Sequence, residues 1–243
     1  MKMKKILKIS VFTVLCILIL FINVSANDAK VTVDGESIKL DQPPIIRDGR
    51  VLLPLRAVGE ALLCKVDWEH ETYTAILNSG YAEIRVKIGE YSLEKTIISG
   101  DPIVQNIELD VPAIIENGRT MVPLRTIAES LYLDVNWDEE NRTAVINRKY
   151  DNIGIATNGY IRVDISDKMG FMDLDGNIVI PVEYENDTAY GYVQGNGTYA
   201  IVKKDGKYGA VDMNNKTLVN FSYTLENIDA LRTKAETGIK KMK

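Results

Sequence analysis

The stretch DQPPIIRDGRVLLPLRAVGEALLCKVDWEHETYTAILN, Asp41–Asn78, recurs without a gap as DVPAIIENGRTMVPLRTIAESLYLDVNWDEENRTAVIN, Asp110–Asn147. The offset is 69 throughout and 17 of 38 positions are identical, so the region is an internal duplication. Many of the differences keep the chemistry, as in Leu53 with Val122, Val58 with Ile127 and Asp67 with Asn136.

Each copy reads as strand, tight turn, strand, helix and hairpin. Asp48-Gly49 and Asn117-Gly118 supply the positive φ that a two-residue hairpin turn demands. Pro54 and Pro123 follow the second strand, and the pattern predicts that they open a helix at its first position, where a missing N–H costs nothing. Leu55, Val58, Gly59 and Leu62, with their twins Leu124, Ile127, Ala128 and Leu131, recur at helical spacing and form a core-facing stripe. Arg56 with Glu60, and Arg125 with Glu129, stand four apart on the other face, where an ion pair adds about 0.2–0.5 kcal/mol. The V-x-W runs at Trp68 and Trp137 alternate as strands, with turns at His70–Thr72 and Glu139–Asn141.

The repetition also assigns roles. Arg50 and Arg119, directly after the turn glycines Gly49 and Gly118, read as a shared structural hydrogen bond rather than an anion site. Trp68 and Trp137 read as core anchors. Cys64 aligns with Leu133 and reads as a buried thiol acting as a small hydrophobe, with a bridge between chains left open. His70 has two acidic neighbours, Glu69 and Glu71, but a lone imidazole in a turn is a weak ligand.

The twin DGRVLLPLRAVGEAL and NGRTMVPLRTIAESL motifs, each followed by a V-x-W strand, resemble the amino-terminal (stalk) domain family of copper amine oxidases, which occurs in many secreted bacterial proteins. The resemblance spans roughly Lys30–Arg148. It implies an α+β unit, antiparallel β-hairpins wrapped on two short helices. The chain departs from the family where Leu63-Cys64 and Tyr132-Leu133 replace the usual glycine cap after the helix. The oxidase chemistry belongs to a different domain, with copper held by histidines and a cofactor made from a tyrosine that follows an asparagine. One histidine and no Asn-Tyr pair exclude that activity here.

A second repeat follows Tyr150. Gly159–Tyr184 aligns with Thr198–Tyr223 at offset 39, pairing Tyr160 with Tyr199, Lys168 with Lys207, Gly170 with Gly209 and Asp173 with Asp212. Turns expected at Asp167-Lys168, Asp175-Gly176, Asp205-Gly206 and Asn214-Asn215 separate alternating runs, a small all-β hairpin array. KMGFMDLDGNIVIPVEY and KDGKYGAVDMNNKTLV are similar to the WG-repeat family, with Met169 and Tyr208 in place of the tryptophan before the marked glycine. Asp173-x-Asp175-Gly176-Asn177 looks like a calcium loop but lacks its later acids, so a turn is expected. Tyr190 and Tyr192 share one strand face and are candidate ligand contacts, with core filling as the competing reading. Two units cannot close on themselves, so the array must be capped by the first module, by the tail or by a partner. The tail carries Leu225, Ile228, Leu231, Ala235 and Ile239 at helical spacing.

At the other end, Lys2, Lys4, Lys5 and Lys8 precede an apolar run to Val24 and the small residues Ser25 and Ala26. This spells a secretory signal, cut between Ala26 and Asn27, and an uncleaved anchor is the competing reading. Cleavage changes the net charge from −5 to −9 and leaves Cys64 as the one cysteine. Such an acidic chain is a poor binder of nucleic acid, and a single histidine excludes metal sites built on several imidazoles.

The expected organisation is therefore a signal peptide over 1–26, the stalk-type module over 27–148, two WG-type repeats over 149–224 and a helical tail over 225–243. The expected function is that of a secreted, non-catalytic binding or scaffold protein of the bacterial cell envelope, without cofactor or metal. Its expected partner is an envelope polymer or another envelope protein, and it meets the membrane only through an uncleaved signal. Two alternatives stay open: a wall hydrolase using Glu183, Glu185 or Asp187, and an accessory subunit that pairs through exposed β edges.

Overall fold

The structure is a computed structural model that describes residues 29–187 and 193–242. The expected signal segment with its Ala26–Asn27 cleavage point, and the tyrosines Tyr190 and Tyr192, lie outside the described residues. Strands occupy 53% of the described residues, so this part of the molecule is mostly β with few helices, more β-rich than a plain α+β reading suggests.

In the first copy, β3 (Ile45–Arg47) and β4 (Arg50–Pro54) form a hairpin, followed by helix α1 (Leu55–Ala61), β5 (Lys65–Glu69) and β6 (Thr74–Asn78). The second copy repeats this as β10 (Ile114–Glu116), β11 (Arg119–Pro123), α2 (Leu124–Ser130), β12 (Leu133–Asp138) and β13 (Thr143–Arg148). The turn residues Asp48, Gly49, Asn117 and Gly118 all have positive φ, between 49° and 73°, as their types foretold. Pro54 and Pro123 sit one residue earlier than expected. They end their strands and precede the helices, because β4 and β11 pair with each other and hold Pro54 opposite Met121 and Pro123 opposite Leu52.

That pairing makes one sheet, β10-β11-β4-β3, from the two hairpins. Leu53 and Val122 point into the main core, while Leu52 and Met121 bury themselves with Val111 on the opposite side. The main core also takes the buried stripes of both helices, with Leu55, Val58, Leu124, Ile127 and Ala128. Cys64 is 7% exposed within it as a free thiol, and its burial pushes the thiol up from its ordinary range.

The copies differ in what extends their last hairpin. β5 and β6 continue into β7 (Ala82–Lys87), β8 (Ser92–Ile97) and β9 (Ile103–Glu108) as a five-stranded antiparallel sheet. β12 and β13 are instead joined by β1 (Lys30–Val33), parallel to β13 with Val31 beside Ala144, and by the short β2 (Glu36–Ser37). The first strand thus completes the second copy.

The second repeat forms two antiparallel four-stranded sheets. The first holds β14 (Asn152–Thr157), β15 (Tyr160–Ile165), β16 (Lys168–Asp173) and β17 (Ile178–Glu185). The second holds β18 (Val193–Gln194), β19 (Tyr199–Lys204), β20 (Lys207–Asp212) and β21 (Thr217–Tyr223). The first turn lies one residue earlier than expected: Ser166, not Lys168, takes the left-handed φ of 55°, matching Asp205 in the next sheet. Gly170 is required because a Cβ there would lie 2.5 Å from the Ile180 carbonyl oxygen, where β17 bulges against β16. Met169 and Tyr208, standing before the marked glycines, are buried at 1% and 5% exposure.

The layers stack in chain order. Ile161, Val163 and Met172 of the first sheet pack on Ile97 and Tyr132 of the stalk-type module. Its other face, with Met169, Phe171 and Ile180, packs on Ala200, Val202 and Val211 of the second sheet. The outer face of that sheet is covered by helix α3 (Ile228–Met242), through Ile228, Leu231 and Ala235. The array is therefore capped by the first module at one end and by the tail at the other. Leu225 departs from the expected stripe, lying half exposed in a short 3₁₀ turn that Thr224 and Asn227 cap reciprocally.

Candidate functional site

The pairing of β4 with β11 creates two clefts. One, of about 420 Å³, is walled by Pro54, Leu55, Arg56, Val66, Trp68 and Tyr73 of the first copy and closed by Ile115, Gly118, Arg119 and Thr120 of the second. The other, of about 470 Å³, is walled by Pro123, Leu124, Arg125, Val135, Trp137 and Arg142 and closed by Ile46, Gly49, Arg50 and Val51. Each of the twelve residues lining the first cleft has its 69-residue equivalent lining the second. Each cleft thus needs both copies: the helix start and V-x-W strand of one, and the hairpin tip of the other.

Ten of the twelve repeat residues singled out in the sequence come together here: Gly49, Arg50, Pro54, Arg56, Trp68, Gly118, Arg119, Pro123, Arg125 and Trp137. Glu60 and Glu129 line neither cleft. Arg125 and Glu129 approach to 3.9 Å, whereas no ion pair joins Arg56 to Glu60, both of which stay in solvent. Arg50 and Arg119 are held by crossed ion pairs. Arg50 reaches Asp110 at 2.5 Å and Arg119 reaches Asp41, so each copy's arginine is fixed by the aspartate that opens the other copy. The pairs are about half exposed and stabilise by at most about 1 kcal/mol each. Their effect is to orient two guanidinium groups at the cleft rims.

The tryptophans are half-buried, packed on the core by one side and lining a cleft by the other, so the anchor reading covers only half of their environment. The indole N–H of Trp68 donates to His70 Nδ1 at 3.2 Å, and that of Trp137 donates to Glu139, the repeat equivalent of His70. His70 is therefore occupied as an acceptor beside an aromatic wall. The hairpin tips are closed in parallel ways. The Thr72 hydroxyl, followed by Arg85, holds the Glu69 carboxyl below its usual range; Asn141 does the same for Asp138, its repeat equivalent. The clefts differ at one position. Tyr73 meets Trp68 edge-on with ring centroids 6.3 Å apart, while its equivalent Arg142 lines the same cleft as Trp137. Arg142 Nε is buried and has no hydrogen-bond partner.

The acids proposed for hydrolysis are placed otherwise. Glu185 accepts the Gly206 N–H at 2.7 Å, and Glu185 and Asp187 share Lys203 at 3.5 and 3.7 Å. Glu183 points to solvent, and none of the three lines these clefts. The calcium-like stretch is a turn: Asp173 Oδ1 accepts the N–H groups of Asp175 and Asn177 at 3.0 and 2.8 Å. Asp212 repeats this with Asn214 and Lys216.

Sequence reasoning missed Lys95. Leu93, Lys95 and Ile97 alternate on the inward face of β8, and Lys95 is 3% exposed. The L-x-K-x-I pattern was the available signal, lying in the stretch between the copies.

Among family models, that of the copper amine oxidase N-terminal domain matches residues 32–146 and again 99–184, the second match starting near the second copy and running on into the first hairpin sheet. The WG containing repeat model matches residues 169–208, one period of the hairpin array. No curated protein and no solved structure matches the chain in the corresponding comparisons. The two matches to the first model together take in residues 32–184, well over half of the chain, and their doubled motif is the one that builds the twin clefts: the protein belongs to the copper amine oxidase N-terminal domain family.

Proposed function

We propose that the chain is a secreted, non-catalytic binding module of the cell envelope, which holds glycan through its two equivalent clefts. One observation carries this reading: the duplication preserves an aromatic wall and a pair of arginines in each cleft, although the repeat has diverged at more than half of its positions. A flat indole beside oriented guanidinium groups suits a sugar ring bearing a carboxylate or phosphate. The apolar ring face stacks, and the planar fork takes the anion. The volumes suit one or two sugar units. The arginines also let a chain of net negative charge meet an acidic polymer locally. Of the three acids of the hydrolase alternative, Glu185 and Asp187 are engaged by Lys203, which favours the binding reading.

The test is retention of the mature protein on isolated cell walls. Saturable retention that falls at least tenfold in a Trp68→Ala, Trp137→Ala double variant is the expected result. Retention no greater than that of a control protein of equal charge overturns the reading. Retention unchanged in the double variant, but lost when the β9 edge is altered, would favour pairing through sheet edges instead.

A further inference from the structure

A lysine has no structural reason to stand between Leu93 and Ile97 on the inward face of β8. Lys95 is 3% exposed, and its ammonium lies 3.9 Å from the centroid of the Tyr132 ring. Among the described residues it takes part in no hydrogen bond and no ion pair; its electrostatic neighbours are the Tyr132 ring and, further off, Asp175. Burying a cation without a direct ion pair is unfavourable, and an apolar residue of similar volume would fit the same strand at lower cost. The side chain opens on a cavity of about 510 Å³ between β8, β9, the end of α2 and the turn after β16. This cavity shares no lining residue with the Trp68 cleft and only Thr126 with the Trp137 cleft.

We propose that Lys95 is a carbonyl-capture site, an amine that condenses with a small aldehyde or reducing sugar entering this cavity. Desolvation pushes the ammonium down to about 8, with Asp175 pulling the other way. At neutral pH a far larger fraction of Lys95 is therefore the free amine than of a lysine in water, which is how buried lysines become nucleophiles. The ligand class follows from the walls. Glu129 and Asp175 line the cavity and oppose an anion, while Gln105 and Ser130 offer neutral polar contacts to a hydroxylated carbonyl compound.

The step balances without oxidant or reductant. The Nζ lone pair attacks the carbonyl carbon, and the proton lost by nitrogen moves to the carbonyl oxygen. The resulting carbinolamine then loses that oxygen as water while the C=N bond forms. Asp175 or Glu129 can relay the protons. The titratable groups around Lys95 are Asp175 from the turn after β16, Glu129 from α2 and the Tyr132 phenol; behind that ring stand the Tyr81 phenol, stacked on it, and Asp173 at the end of β16. Burial raises both phenols, Tyr81 to about 12, so they stay neutral across the working range. A titration near 8 therefore belongs to Lys95.

The experiment exposes the full chain to glycolaldehyde with cyanoborohydride, which traps the imine, and follows each lysine by peptide mass spectrometry from pH 6.5 to 10. Lys95 is expected to react at least tenfold faster at pH 7.4 than the exposed Lys30 and Lys207, with a rate that levels off above pH 8. Lys95→Arg is expected to remove the fast site and leave the other rates unchanged. If that variant does not fold, the site-resolved profile of the unaltered chain still decides. Modification of Lys95 no faster than of Lys30 overturns the proposal, as does a rate that climbs without levelling to pH 10. Neither result bears on glycan binding by the tryptophan clefts.

Discussion

Leu63 and Tyr132 occupy the same place in the two copies, directly after the helix, and both take the left-handed backbone, with φ of 61° and 58°. Glycine suits that position because a Cβ is strained there by roughly 1–2 kcal/mol. The two side chains then part company. Leu63 is 82% exposed. Tyr132 is 5% exposed, stacks on Tyr81 at 6.2 Å, donates to the Leu174 carbonyl at 2.8 Å and lies under Lys95. The same strained turn is thus a bare helix end in one copy and the bolt between the two modules in the other. A duplication supplies two equal frames, and what each copy later meets decides which residues the frame can keep.

The sharpest way to break this comparison is to truncate both side chains. Tyr132→Ala is expected to cost about 3–5 kcal/mol in urea unfolding, as for other large buried aromatics. Leu63→Ala is expected to stay within about 0.5 kcal/mol of the unaltered chain. Equal effects would show that Tyr132 is not the bolt described.

Next in size is the neighbour that Tyr132 shields. Lys95 is pushed down to about 8, so between pH 8 and 10.5 the unfolded chain binds more protons at this residue than the folded one. Its cost is present in full below pH 8 and is relieved as pH rises through that window, by on the order of 3 kcal/mol. Above about pH 10 the raised phenols of Tyr81 and Tyr132 act in the opposite direction, because the folded chain then holds the extra protons. Stability against pH should therefore rise beyond 8 and turn down above 10. Lys95→Met should abolish the rise and stabilise the chain at pH 7, measured by urea midpoints across the range.

Leu63→Gly carries a smaller and opposite effect. Relief of the left-handed strain, less the entropy of a freer unfolded chain, should stabilise by about 0.5–1 kcal/mol. Tyr132→Gly should destabilise, since it loses the ring. The smallest effects belong to the crossed ion pairs. Arg50→Ala and Arg119→Ala should each cost about 0.2–1 kcal/mol and about equally, as equivalents in exposed positions. A marked difference between them would mean that the two clefts are not equivalent.

Much of the fold was legible in local signals. Asp48-Gly49 and Asn117-Gly118 set their hairpins, and the offsets of 69 and 39 placed matching strands in both repeats. Pro54 and Pro123 were misplaced by one residue because their strands pair with each other, a contact no local pattern encodes. The parallel pairing of β1 with β13 was hidden for the same reason. So the residues of the clefts were visible one by one, but the clefts were not, since each joins the helix of one copy to the hairpin of the other. Lys95 went unnoticed because it lies between the duplicated stretches, where no second copy drew attention to it.

The chain has two tryptophans, one in each cleft, and this permits a direct test of the central claim that the duplication made two equivalent binding sites. Trp68→Phe and Trp137→Phe each leave a single indole as reporter, and soluble acidic wall glycan is titrated into both while emission is followed. Saturable change in both variants, at ligand concentrations within about tenfold of one another, is the expected result. Emission that stays flat in both folded variants, or that responds in only one, would contradict it.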